Sequence, residues 1–190
     1  VDGIPLNEAM SHADGYADMN VLIPLELASA TVFKGPTSAL YGNFNRAGLI
    51  DFQTRKGGSY SELDVIGDSF GTVDLQGAHG ALLGPGQFNG AAQVFRTDGF
   101  RPDSRFERGT VAGRYALPLT NRLQVAVSGR LHRGDWDSAS YLTRQQFAVD
   151  PYGKDPRVLR DGGDKSFGTG RVDAYYTFSD TLRLVSFVYG

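Results

Sequence analysis

The segment Arg122 to His132 places the strongest limit on what this chain can fold into. Leu123, Val125, Val127, Gly129 and Leu131 fall on one side of it, and Gln124, Ala126, Ser128, Arg130 and His132 on the other. Alternation with a period of two, held over that length, marks a β-strand with one apolar and one polar face. Arg171 to Phe178 repeats the pattern, with Val172, Ala174, Tyr176 and Phe178 opposite Arg171, Asp173, Tyr175 and Thr177. So does Thr110 to Leu117, with Val111, Gly113, Tyr115 and Leu117 opposite Thr110, Ala112 and Arg114. The pattern is weaker over 72–81 and blurred over 87–97 by Val94-Phe95-Arg96. Strands are expected near 60–67, 72–82, 87–98, 107–117, 122–135, 165–178 and 181–190.

Composition agrees with a strand-rich chain. There are 25 glycines in 190 residues, with 12 Phe, 9 Tyr and one Trp. Glycine stands well above its usual ~7%, and glycine with aromatics favours short strands and tight turns over helices. A net charge of −2 without a basic run argues against a nucleic-acid partner. The absence of cysteine excludes disulfides, thiolate metal sites and cysteine nucleophiles. No segment reaches the ~18 apolar residues of a spanning helix. The best candidate, Ile23 to Phe33, is short and contains Glu26. That leaves a membrane barrel open, because its strands need only about 9–11 residues each.

The connections carry a second signal. Leu83 to Gly86, Pro118 to Asn121 and Ser179-Asp180 are tight, whereas Gly99 to Phe106 and Trp136 to Asp164 are long. Outer-membrane barrels have short periplasmic turns and longer extracellular loops. Tyr115, Tyr176 and Phe178 would then stand at the periplasmic aromatic girdle. A soluble sandwich also alternates core and solvent positions, but its strands most often run ~5–6 residues.

The chain changes character at Lys56-Gly57-Gly58. The first region contains Val1-Asp2-Gly3-Ile4-Pro5-Leu6-Asn7, then Ile23-Pro24-Leu25-Glu26, then Val32-Phe33-Lys34-Gly35-Pro36-Thr37-Ser38-Ala39-Leu40-Tyr41-Gly42, and last Gly48-Leu49-Ile50-Asp51-Phe52-Gln53-Thr54-Arg55-Lys56. Gly35 before Pro36 ends a strand, Thr37 or Ser38 can cap a short helical turn, and Gly42 and Gly48 supply sharp exits. These four pieces, in order and spacing, resemble the plug domain of TonB-dependent receptors. There a "VDG-P" strand precedes an "I-P" turn, an "R-G-P-x-S-x-L-Y-G" segment and a strand ending in "T-K/R-K". Lys34 stands where the family usually has Arg, and keeps the charge without the planar fork. The preceding strand, often charged in the family, reads Ala28-Ser29-Ala30-Thr31. Lys34 could pair with the barrel wall or be a solvated strand-end charge.

The resemblance implies a mainly β chain. Residues 1–57 would be the C-terminal part of an α+β plug, and 58–190 the first seven or so antiparallel strands of a transmembrane β-barrel of about 22 strands. Val1-Asp2-Gly3 reads like the interior of a domain. A TonB box, the early plug and about fifteen further strands are expected outside this stretch, and seven strands alone are not expected to transport. The implied activity is energised import across the outer membrane of a Gram-negative bacterium, with TonB and the inner-membrane energising complex as partners. The ligand expected by default is a ferric siderophore; no cofactor, no resident metal and no catalytic residue are implied. Asp2, Gly3, Pro24, Lys34, Gly35, Pro36, Tyr41, Gly42 and Gly48 carry the motif and read as fold-makers. Ligand contacts are sought on the outward-facing plug loop, at His12, Asp14, Tyr16, Asp18 and Asn20, and in a second set, Asn43, Asn45 and Arg46. Trp136 and Tyr141, placed on the long loop, could stack on a ligand or pack the loop. Asp161-Gly162-Gly163-Asp164 reads as a solvated loop in preference to a calcium site. Two rival readings are a passive barrel or surface adhesin, and a soluble β-rich binding module or hydrolase.

Overall fold

A computed structural model of the chain describes residues 1–7, 16–36, 38–41, 45, 47–158 and 161–190. It is mainly β, with two antiparallel sheets. The smaller sheet pairs β1 (Leu27–Lys34) with β2 (Gly48–Thr54). The larger contains β3 (Tyr60–Gly67), β4 (Val73–Leu83), β5 (Gly86–Thr97), β6 (Phe106–Pro118), β7 (Leu123–Asp137), β8 (Gly162–Ser179) and β9 (Leu182–Tyr189), each bonded to its neighbours in chain order. These are the seven strands the alternation predicts, and β7 and β8 extend further toward the long loop than expected. Asp161-Gly162-Gly163-Asp164 is corrected accordingly: its last three residues open β8, paired to Asp135, Trp136 and Asp137.

The I-P piece folds as a 3-10 turn, Pro24–Glu26, with proline at the first position, where no N–H is missed. A second turn, Ala39–Tyr41, follows the Gly-Pro pair, with Tyr41 N–H donating to the Ser38 carbonyl at 3.3 Å. Gly35, at φ +82°, donates to the Ala47 carbonyl at 2.8 Å and closes the β1–β2 connection. Gly48, at φ +144°, has the Phe33 carbonyl oxygen where a Cβ would stand, so a side chain is excluded there. Tyr41 packs its ring 5.8 Å from Phe33.

One expectation fails at the N-terminus. Asp2 and Gly3 form a turn, both with positive φ, and not a strand. Asp is among the few residues that tolerate this conformation, and here its carboxylate has a local role. Asp2 Oδ2 accepts from the Thr54 hydroxyl at 2.6 Å and Oδ1 lies 3.1 Å from Lys56 Nζ. The turn is pinned to the end of β2, and its Asp2 N–H bonds the Phe52 carbonyl at 2.8 Å.

The large sheet is polarised in an unusual sense. One face is bare and carries large apolar side chains: Leu63 and Val65 on β3, Val73 and Leu75 on β4, Val94 on β5, Val111 on β6, and Val127 and Leu131 on β7 are exposed. Leu131 keeps 65% of its surface. Its polar side chains are the buried ones: Gln76, Asn89, Gln93, Thr110, Arg114, Arg130, His132 and Asp173. The shielding comes from the first region, whose fully buried Ile23 packs on Ala78 and Ala91 beside Leu25 and Tyr60. Small residues on the inner face let the N-terminal region approach the backbone closely.

At one end the strands join through tight turns, β4–β5, β6–β7 and β8–β9. The other end carries 98–105 and the stretch between β7 and β8, which holds the short helix α1 (Arg144–Val149). Aromatic rings gather at the tight-turn end of the bare face. Phe88 pairs with Tyr115 across β5–β6, Tyr115 Oη donates to the Leu83 carbonyl at 2.8 Å, and Tyr176 meets Phe178 edge-on at 4.7 Å.

Candidate functional site

The inner face of the sheet and the segment that covers it form an extensively connected polar region. Alternation sends every second residue of each strand to this face, so neighbouring strands deliver Asp74, Gln93, Arg108, Thr110, Arg130 and Arg171 to one surface. Arg130 Nη2 pairs with Glu26 at 2.6 Å, with both side chains more than nine-tenths buried. Its Nη1 donates to the Val21 carbonyl at 2.7 Å. Arg108 Nη1 donates to the Asn20 carbonyl at 2.6 Å and to Gln93 Oε1 at 3.0 Å. Gln93 in turn donates to Asp74 at 2.7 Å. Lys165 on β8 lies 3.2 Å from Asp18, and Arg171 donates to the Asp2 carbonyl while pairing with Asp173 at 2.5 Å. Thr110 Oγ1 shares a 2.8 Å hydrogen bond with His132 Nδ1. Cationic side chains of the large sheet thus grip carbonyls and carboxylates of the covering segment.

The electrostatics of the three carboxylates on that segment differ. Burial pushes Glu26 above its usual range, against the pull of Arg130 and of the Ile23 N–H, which Oε1 accepts at 3.2 Å. Burial acts the same way on Asp2, but the Thr54 hydroxyl and Lys56 outweigh it and hold the carboxyl below its ordinary 3.8. At Asp18 the Asn20 N–H and Lys165 likewise overcome burial and lower it from 3.8. A depressed folded pKa contributes stability that is present above 3.8 and is lost as pH falls through the folded value. Glu26 acts in the opposite sense, its ionisation disfavouring the fold as pH rises past 4.5. Acid unfolding below pH 3.8 is therefore expected to be shallower in Asp2→Asn than in the parent chain. Urea midpoints measured across that range check it, and parallel acid limbs would refute it.

The loop end is the second candidate surface. Arg101 fastens the two long connections together, donating to the Gly153 carbonyl at 2.8 Å and the Ser140 carbonyl at 3.3 Å. Phe100 meets Tyr152 edge-on at 6.4 Å. Arg105 bridges Asp135 and Asp137 at the root of the loop. Thr143 caps α1 through the Gln146 N–H, and Gln146 reciprocates, a capping box. Phe100, Arg101, Ser140, Tyr141, Leu142 and Phe147 line a shallow groove there.

The residues singled out from the sequence divide between these places. Asp18 pairs with Lys165 on β8, whereas Asn20 is exposed and is held through its backbone carbonyl by Arg108. Tyr16 is exposed. Asn45 donates to the Ser38 carbonyl at 3.1 Å and leaves Oδ1 unpartnered. His12, Asp14, Asn43 and Arg46, with Gly42 of the motif, lie outside the described residues. Trp136 is corrected: it belongs to β7, paired with Phe106 and Gly163, and its ring fills the space where Gly163 lacks a Cβ. Tyr141 does stand on the loop, 93% exposed. Lys34, the last residue of β1, is exposed. Asp2, Gly3, Pro24, Gly35, Pro36, Tyr41 and Gly48 occupy turns and strand ends, which suits fold-making roles.

The sequence did not single out Glu26, Arg108, Arg130 or Arg171 as a set. The available signal was their position on the polar side of alternating strands, with Glu26 as the one charge inside an apolar run. Among the described residues no group of His, Asp and Glu could hold a metal ion, and no helix is long and apolar enough to cross a membrane. No protein-family model matches this chain, and a comparison with curated protein sequences gave no match. What the fold itself defines is a mainly β chain of two antiparallel sheets, the larger with polar residues of β4–β8 buried on one face and apolar residues exposed on the other.

Proposed function

We propose that this chain is part of a TonB-dependent receptor in the outer membrane of a Gram-negative bacterium, importing a scarce ligand of the ferric siderophore class. The observation that carries this reading is the inverted polarity of the large sheet. In water a sheet buries its apolar face; here Leu63, Val65, Val94, Val127 and Leu131 face outward while charged residues are sequestered. Lipid is the surrounding that makes such a surface favourable, and barrels alternate apolar-out and polar-in for that reason. The tight turns at one end, the long loops at the other, and the ring of aromatics near the tight turns support the same orientation.

The covering segment supports the transport part of the reading. Residues 1–57 carry the plug-like motif series, and they are held to the wall by hydrogen bonds and ion pairs that can break one by one. TonB and the inner-membrane energising complex would supply the pull that breaks them, and no bond of the ligand is made or broken. The test is uptake of a labelled ferric siderophore by cells producing the receptor that contains this stretch, with and without an intact energising complex. Uptake that depends on the complex supports the proposal. Equal uptake in both strains would leave a passive barrel as the better description.

A further inference from the structure

Arg133 stands at a boundary on the bare face of the large sheet. On the same side of β7, Leu131 lies two residues nearer the tight turns and Asp135 two residues nearer the loops. Val94, Val111 and Leu131 line a shallow apolar groove across β5, β6 and β7. Arg133 and Ser166, directly opposite each other, border its loop end. Gly109, opposite both Val94 and Arg133, keeps the groove open, since a Cβ there would meet nothing within 4 Å.

Charge is unevenly matched around this boundary. Arg96 lies 3.5 Å from both Asp98 and Glu107, and Arg105 holds Glu107 at 3.2 Å, Asp137 at 3.0 Å and also Asp135. Two cations therefore serve four carboxylates. Asp164 adds another, exposed directly opposite Asp135 and paired with no cation among the described residues. Arg133 is exposed as well, and pairs with no carboxylate among the described residues. Among those residues the carboxylates form no group able to hold a metal ion. Read toward the loops, the bare face runs from apolar groove to cation to surplus carboxylate.

That order complements one class of amphiphile. In a lipid that ends in phosphoethanolamine, the acyl chains come first, then the phosphate, then a primary ammonium. Diagonal cross-strand neighbours such as Arg133 and Asp164 stand about 7–8 Å apart, a span that phosphate and ammonium joined by two carbons can bridge. A guanidinium matches phosphate oxygens with paired N–H donors. A primary ammonium offers the carboxylates three donors, and a quaternary one offers none.

We propose that this groove and its rim bind a lipid bearing a phosphoethanolamine headgroup. An acyl chain lies along Val94, Val111 and Leu131, the phosphate accepts from Arg133 and the Ser166 hydroxyl, and the ammonium donates to Asp164. The proposal rests on the reading of this face as lipid-facing, and names the lipid that one part of it selects.

The full chain in uncharged detergent, mixed with equal amounts of phosphatidylethanolamine, phosphatidylcholine and phosphatidylglycerol of matched acyl chains, tests it by native mass spectrometry of the lipids retained. Phosphatidylethanolamine is expected to be retained over each of the others by roughly 5-fold, the upper range for an exposed ion pair. Asp164→Asn is expected to erase that preference while lipid is still retained. Arg133→Gln is expected to weaken retention of all three lipids by a similar factor. Both residues are exposed and unpaired among the described residues, so neither substitution removes an ion pair of the fold. Equal retention of the three lipids by the parent chain, a preference untouched by Asp164→Asn, or retention untouched by Arg133→Gln would overturn the site and leave the lipid-facing reading standing. A chain that retains none of the three would overturn both.

Discussion

Replacing Arg130 by methionine is expected to destabilise the folded chain by about 3–5 kcal/mol, the usual cost of removing one member of a buried ion pair. Three observations set the size. Arg130 and Glu26 are 8% and 7% exposed and 2.6 Å apart, so the carboxylate left behind loses its counter-charge while largely shielded from solvent. Glu26 is already pushed toward its neutral form by burial, and Arg130 opposes that push. The same guanidinium satisfies the Val21 carbonyl, which the variant leaves bare. Urea unfolding of the full chain at neutral pH measures the loss. Adding Glu26→Leu should recover most of it, because a buried pair replaced whole by apolar side chains is often neutral or stabilising. A single variant within about 1 kcal/mol of the parent would mean that the covering segment is not anchored through this pair. A double variant as unstable as the single would place the effect in packing and not in charge.

The second large effect is expected on the opposite face. Val127 is 57% exposed near the middle of β7, on the apolar side of the sheet. On a water-exposed surface, Val127→Arg should change stability by no more than about 0.5 kcal/mol. On a lipid-facing surface near the midplane the same change costs about 2–4 kcal/mol. Unfolding the chain from phospholipid vesicles, with Val127→Ala and Tyr141→Arg as references, separates the two cases. Tyr141 lies on the loop and is almost fully exposed, so its substitution should be close to neutral. If Val127→Arg proved equally neutral, the bare apolar face would need another explanation and the membrane reading would lose its main support.

These two experiments examine the two sides of one sheet, and much of that sheet is legible in the residues. Alternation over 107–117, 122–135 and 165–178 separates the inner from the outer side chains, because strand geometry sends successive residues to opposite faces whatever surrounds them. The bounds of the strands follow from the turn residues between them, and the seven observed strands lie within a few residues of those expected. The extension of β7 to Asp137 was not legible. Trp136 and Asp137 sit beside glycines and charges that also suit a loop, and their pairing with Gly163 and Gly162 depends on a segment distant in sequence. The N-terminal turn was missed for a related reason. A short run such as Val1-Asp2-Gly3-Ile4 is compatible with a strand until Thr54 and Lys56 arrive to hold the Asp2 carboxylate.

By itself the sequence determined the mainly β class, the apolar and polar sides of the longer strands, and the unequal lengths of their connections. Those are local properties, set by the period of the strand and the chemistry of the turns. Which face is covered was decided only in the tertiary structure, where Ile23 and Glu26 come down on Ala78, Ala91 and Arg130. So was the pairing of Arg130 with Glu26, while Arg114, similarly placed in the alternation, has no carboxylate partner among the described residues. The physical reason is that hydrogen bonding and charge compensation depend on groups tens of residues away, whose approach no local pattern encodes.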